Sequence, residues 1–114
     1  MVETYGYAML NSGAEKEAMS FVNIYDEFGD SADFKFLMGI IYMKNGFFYN
    51  AVKEFKKAVL YKDCKVEGVN SYQAYYNIGV IYECLGYKDK ALEYYEQCGD
   101  YENAQNREAY IKNN

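Results

Sequence analysis

The sequence predicts an all-α fold: an antiparallel helix-pair solenoid of three repeats closed by a C-terminal capping helix. Three observations predict it. First, Gly6, Gly13 and Ala18 recur in lockstep as Gly39, Gly46 and Ala51, and again as Gly79, Gly86 and Ala91; such self-similarity is the signature of a repeat architecture. Second, apolar residues recur at helical spacing on both sides of each glycine turn. Third, no segment shows the period-two alternation of a strand.

The elements follow in order. Helices are expected near 2–11, 14–28, 32–44, 48–61, 71–84, 88–98 and 100–112. The first pair, split at Gly13, forms the weakest copy. The stretch ADFKFLMGIIYMK (32–44) is apolar on nearly every side, so something must cover it: a bound peptide or partner helix, a second copy of the chain, or a neighbouring domain. Gly46 and Gly86 follow the long apolar stretches, where a glycine C-terminal cap is expected. AVKEFKKAVLYK is apolar at 51, 52, 55, 58, 59 and 61 with lysines between, giving one buried stripe and one wet face. KDCKVEGVN (62–70) is a polar insertion ending in Asn70-Ser71, which reads as a loop and a helix N-cap. ALEYYEQC has the same one-sided pattern as the earlier second helix. The last helix is the most polar, begins at a capping-type Asp100 and suits the solvent-facing end of a solenoid. One domain, 1–114, is expected, with repeats at about 1–31, 32–65 and 72–99 and the capping helix at 100–112.

Composition narrows the function. The chain has 114 residues, 12 basic against 17 acidic, a formal charge of −5, no His, no Trp, no Pro and fifteen tyrosines. An acidic balance argues against a nucleic-acid backbone binder. Charge by segment is −5 over 1–31, +3 over 32–71 and −3 over 72–114, so no continuous basic track accompanies the tyrosines as single-strand stacking would need. They read mainly as filler at helix crossings. The absence of His removes the commonest general base and metal ligand. Cys64, Cys84 and Cys98 are scattered and odd in number, so they read as reduced thiols of a cytoplasmic chain, neither a zinc site nor a disulfide framework. The N-terminus MVETYGYAML is not a secretory signal, and the longest apolar run is too short to span a bilayer. Neither a membrane nor a cofactor is expected. Glu83, Glu93 and Glu96 lack anything to set their acidities apart for hydrolysis, and Cys84 has no His to activate it. No catalytic residue is assigned. Lys53, Lys56 and Lys57 read as a solvated outer face rather than a patch for an acidic partner.

The run YQAYYNIGVIYECLGYKDKALEYYEQC resembles the tetratricopeptide repeat. The family's large first-helix aromatic falls on Tyr75, its Leu-Gly pair on Ile78-Gly79, its Tyr on Tyr82, its turn Gly on Gly86, its small residue on Ala91 and its second aromatic on Tyr95. The second copy offers Met38-Gly39, Tyr42, Gly46, Ala51, Phe55 and Ala58. The residue types make sense where two helices cross closely. Departures are plain: the repeat-closing Pro is replaced by Asp30, Asp63 and Asn103, a small Ala by Cys98, and the first copy has Met9 and Val22 at the Tyr and aromatic places. The first copy also lacks its opening residues, which reads as a chain cut from something longer. The stretch DCKVEGVNSYQAYYNIGVIYECLGYKDKALEYYEQCGDYENA further resembles the C-terminal repeat region of bacterial family 2 glycosyltransferases; no DxD motif occurs here, so no transferase chemistry falls on any residue.

The resemblance implies a concave groove lined by first helices: Tyr7, Leu10 and Asn11; Asp33, Phe36, Ile40, Met43 and Lys44; Gln73, Tyr76, Val80, Glu83 and Cys84, with Asn77 beside them. The family's carboxylate clamp would need cations where Phe36, Ile40 and Tyr76 stand, so that binding mode is rejected. The expectation is a non-catalytic scaffold that buries a partner helix or peptide, with Asn77, Lys44 and Gln73 orienting it. The alternative is an accessory module of a glycosyltransferase, serving self-association or acceptor docking.

Overall fold

The computed structural model describes residues 2–113. The described residues are helical and contain no strand, compatible with a tetratricopeptide-type helical repeat. The helices are α1 (Val2–Asn11), α2 (Glu15–Ala18), a 3₁₀ stretch (Met19–Ile24), α3 (Tyr25–Phe28), α4 (Ala32–Lys44), α5 (Phe48–Ala58), α6 (Tyr72–Cys84), α7 (Lys88–Glu96) and α8 (Glu102–Lys112). The molecule measures 43 × 29 × 21 Å, elongated as stacked helix pairs require. Among the described residues no helix is long and apolar enough to cross a membrane.

One turn is built three times. Gly13, Gly46 and Gly86 have φ of 85°, 81° and 88°, a conformation that only glycine adopts without strain. At Gly46 the amide donates to the Met43 carbonyl at 3.1 Å and the Phe47 amide to the Tyr42 carbonyl at 2.9 Å. At Gly86 the same pair runs to Glu83 and Tyr82 at 3.0 and 2.9 Å. This is the Schellman arrangement, which satisfies orphan carbonyls and brings the residue after the glycine against one in the last helical turn. Here those partners are aromatic: Tyr42 meets Phe47 and Tyr82 meets Tyr87, edge to face, with centroids 6.4 and 6.3 Å apart.

Above each turn a second glycine lets the helices cross closely. A Cβ on Gly39 would lie 2.5 Å from the Phe55 ring, and one on Gly79 would lie 2.6 Å from the Tyr95 ring. Both rings are fully buried.

The first copy departs from expectation. The single helix expected over 14–28 is α2, the 3₁₀ stretch and α3 in series. Ser20, Val22 and Asn23 are weak helix formers, and a 3₁₀ stretch turns every three residues. Ala18, Phe21 and Ile24 therefore face inward together. Phe21, 4% exposed, meets Gly6, whereas Val22, which an α-helical register places on the core, is 42% exposed. Two expected caps are also corrected: Ser71 and the residue before α8, Tyr101, make no side-chain cap, and Asp100 lies outside that helix. The side-chain cap is Ser31, whose Oγ accepts from the Phe34 amide at 3.0 Å.

The all-round apolar α4 is covered by its own chain. Phe34, Leu37, Met38 and Ile41 are fully buried against the first copy, each worth roughly 1.5–3 kcal/mol of burial. Phe34 stacks on Phe21 and meets Tyr25 edge-on, and Phe36 meets Phe55 edge-on at 5.3 Å. The need for cover by another molecule, inferred from sequence, is thereby largely removed.

Candidate functional site

The repeat step places α4 and α6 in matching register, so Phe36 corresponds to Tyr76, Ile40 to Val80, Met43 to Glu83 and Lys44 to Cys84. The structure divides these predicted groove residues into two sets.

The first set is engaged inside the chain. Asp33 is 8% exposed, and its carboxylate accepts the Lys65 and Val66 amides at 2.9 and 3.0 Å. Phe36 is buried in the cluster that also holds Val69. Gln73 donates its amide to the Glu67 carbonyl at 2.5 Å, and Tyr72 donates its hydroxyl to the Glu67 carboxylate. Asn70 closes the other end, donating to the Tyr61 carbonyl. The insertion 62–70 is thus a strap fastened at Asp33 and Gln73. Tyr7 is half-buried, and burial together with the negative charge of Asp33 pushes its hydroxyl far above its ordinary acidity constant. Asn77 donates its amide to the Gln73 carbonyl at 2.8 Å.

Glu83 belongs to the same set. Its carboxylate accepts the Tyr95 hydroxyl at 2.7 Å and two guanidinium hydrogens of Arg107 on α8. The Arg107 hydrogen bond, against burial, holds the Glu83 carboxyl below the usual carboxylate range. Burial and the hydrogen bond to Glu83 raise the Tyr95 hydroxyl well above its normal value. Tyr76 packs on Tyr95 and edge-on to Tyr101, with centroids 5.8 and 5.4 Å apart. In this way α8 closes one side of the α6 face.

The second set keeps surface. Leu10, Ile40, Met43, Tyr76 and Val80 are half-buried, while Asn11, Lys44 and Cys84 are exposed. Leu10, Ile40, Met43, Tyr76 and Val80 thus each keep part of their surface.

Two features escaped sequence reasoning. One is a buried polar cluster: Glu54, 6% exposed, accepts the Tyr25 hydroxyl at 2.7 Å and pairs with Lys57 at 3.4 Å, while Lys35 donates to the Tyr25 oxygen. Pairing makes the buried carboxylate tolerable. No local pattern announces it, because its members come from three elements, α3, α4 and α5. The other is an apolar cleft of about 360 Å³ between α5 and α6. Its signal was the lysine cluster beside Phe48-Tyr49, which reads equally as a solvated face.

Residues 72–105 match the family model described as Tetratricopeptide repeat. The matched stretch covers α6, α7 and the first turn of α8. No curated protein and no solved structure matches the chain. The match supports a tetratricopeptide-repeat family, whose repeats are typically non-catalytic and mediate protein–protein contacts; it carries no link to glycosyltransferases.

Proposed function

We propose that the chain is a non-catalytic interaction scaffold that takes a partner helix or an extended peptide against the first helices of its second and third repeats. The observation that carries this reading is that Ile40 and Met43 on α4, and Tyr76 and Val80 on α6, stay half-buried, with Ile40 and Val80 at corresponding repeat positions. Each apolar Å² that a partner removes from water there contributes roughly 25 cal/mol before the cost of association. Orientation falls to polar residues of the same helices. Lys44 offers a cation, and Asn77 and Gln73 offer their side-chain carbonyls together with the one amide hydrogen that each does not give to the chain's own carbonyls. Leu10 and Asn11 would carry the contact onto the first copy.

The test uses a partner captured on the purified domain and then titrated calorimetrically. Ile40→Asp and Tyr76→Ala, each first shown to melt cooperatively, weaken binding about tenfold or more if the row is the contact. Two variants that bind like wild type overturn the reading. The resemblance to glycosyltransferase tails supports a second reading, self-association or acceptor docking for an attached enzyme. That reading predicts a dimer in sedimentation that Ile40→Asp dissociates.

A further inference from the structure

The cleft between α5 and α6 opens on a different face of α6 from Tyr76 and Val80. Phe48 and Val52 line one wall, Ile81 and Tyr82 the other. At its mouth stand Tyr49, 80% exposed, and Leu85, 46% exposed. A volume of about 360 Å³ falls within the range of about 300–1,000 Å³ that holds ligand groups, and two or so large side chains would fill it. Exposed apolar side chains gathered round a concavity mark an interaction surface more often than rings scattered singly do.

The charge around the cleft says what kind of segment fits. Lys53 and Lys56 line it, and no carboxylate does. Neither lysine makes an ion pair among the described residues. Lys56 lies 5.9 Å from the centre of the Tyr94 ring, and Lys90 adds a third cation 5.3 Å from the Tyr82 ring. Lys53, Lys56 and Lys57 crowd like charge onto one short helix, which weakens it, and only Lys57 is neutralised, by Glu54. This cationic patch sits on a chain of net charge −5. A nucleic-acid strand would need the positive potential to continue beyond the cleft, and the flanking segments are acidic.

We propose that this cleft is a second docking site, for an acidic amphipathic segment of another protein. Apolar side chains of the segment enter between Phe48, Val52 and Ile81, and its carboxylates lie against Lys53 and Lys56. Burial supplies the affinity, and the lysines supply orientation and rate of encounter. The site is separate from the α4–α6 row and stands or falls independently of it.

The probe is a pair of labelled amphipathic peptides of about 15 residues with identical leucine stripes, long enough to offer several helical turns. One carries Glu on its polar face and the other Lys. Each is titrated into the full chain by fluorescence anisotropy, and the contact is mapped by amide chemical shifts. The acidic peptide is expected to shift amides in 48–56 and 81–85. Its affinity falls about tenfold or more in the Lys53→Glu/Lys56→Glu variant, and falls again between about 0.05 and 0.5 M salt, where screening shortens severalfold. Tyr49→Ala, at a side chain too exposed to support the fold, weakens it as well, whereas Tyr5→Ala, at an exposed ring on the first copy, leaves it unchanged. Equal binding of the Lys peptide overturns the proposal, as do shifts confined to the Ile40–Val80 row. A wild-type dimer that the double charge reversal dissociates also overturns it, by making a second copy the occupant.

Discussion

Gly79→Ala adds one methyl group where α6 crosses α7, and the structure sets the cost. The new Cβ would lie 2.6 Å from Cε1, 2.7 Å from Cδ1 and 3.1 Å from Cζ of Tyr95, against ordinary carbon contacts of about 3.5–4.0 Å. The ring cannot swing aside freely. It is fully buried, and its hydroxyl is tied to Glu83, which Arg107 holds in turn. Overpacking of this kind costs about 1–3 kcal/mol, and straining the hydrogen bond to a charged acceptor adds up to about 1.5 kcal/mol. Replacing Gly by Ala inside a helix returns about 1 kcal/mol. The net is a destabilisation of about 2 kcal/mol. For a chain of 114 residues the unfolding entropy is roughly 0.24 kcal/mol/K, so Tm should fall by roughly 8 °C. Thermal unfolding followed by far-ultraviolet circular dichroism reads this directly. Pairing the change with Tyr95→Leu separates crowding from other causes: the double variant should lose about 1 kcal/mol less than the sum of the singles. A Tm equal to or above that of wild type would refute the close crossing, because helix propensity alone raises stability.

Three further outcomes are expected. Phe21→Ala should cost about 3–5 kcal/mol, whereas Val22→Ala should change stability by no more than about 0.5 kcal/mol; equal effects in urea melts would put an unbroken α-helical register in place of the 3₁₀ turn. Glu83 has its folded-state pKa depressed, first by the Arg107 hydrogen bond, so its contribution is fully present above the unfolded carboxylate value of about 4.3 and is lost as pH falls through the lower folded value. Glu83→Gln should therefore flatten the loss of stability between about pH 5 and pH 3, and an unaltered acid limb in melts across that window would contradict the pairing. Asp33→Ala removes the acceptor of the Lys65 and Val66 amides; trypsin should then cut after Lys62 or Lys65 faster than in wild type while the far-ultraviolet spectrum holds, and unchanged cleavage would mean that the strap is fastened elsewhere.

The helix pairs were legible because their determinants are local. A glycine at positive φ after an apolar helical run needs only a few residues of chain to be recognised, and Gly46 and Gly86 behave as read. The small residues Ala51 and Ala91 and the rings Phe55 and Tyr95 were legible for the same reason: a repeated packing problem receives a repeated answer in sequence. The first copy was misread at Val22 because Ser20, Val22 and Asn23 weaken the helix only slightly one by one, and their sum shifts the register by one residue.

The expected groove positions follow from the repeat step alone, and the sequence says nothing of what engages them. The repeat step by itself places Ile40 and Val80 on corresponding faces, because equal spacing on like helices gives equal orientation. It could not show that Asp33 and Gln73 would be taken by the 62–70 strap, or Glu83 by Arg107. Those pairings join residues whose separation in the chain carries no periodic signal, and a carboxylate does not reveal from composition which amide or guanidinium it will meet. The repeat period and glycine chemistry therefore determined, from sequence, that this protein is a row of helix pairs. Only the tertiary structure decided which side chains the row consumes for its own stability and which it leaves at the surface, because that division depends on desolvation and hydrogen bonding across elements that the chain brings together only by folding.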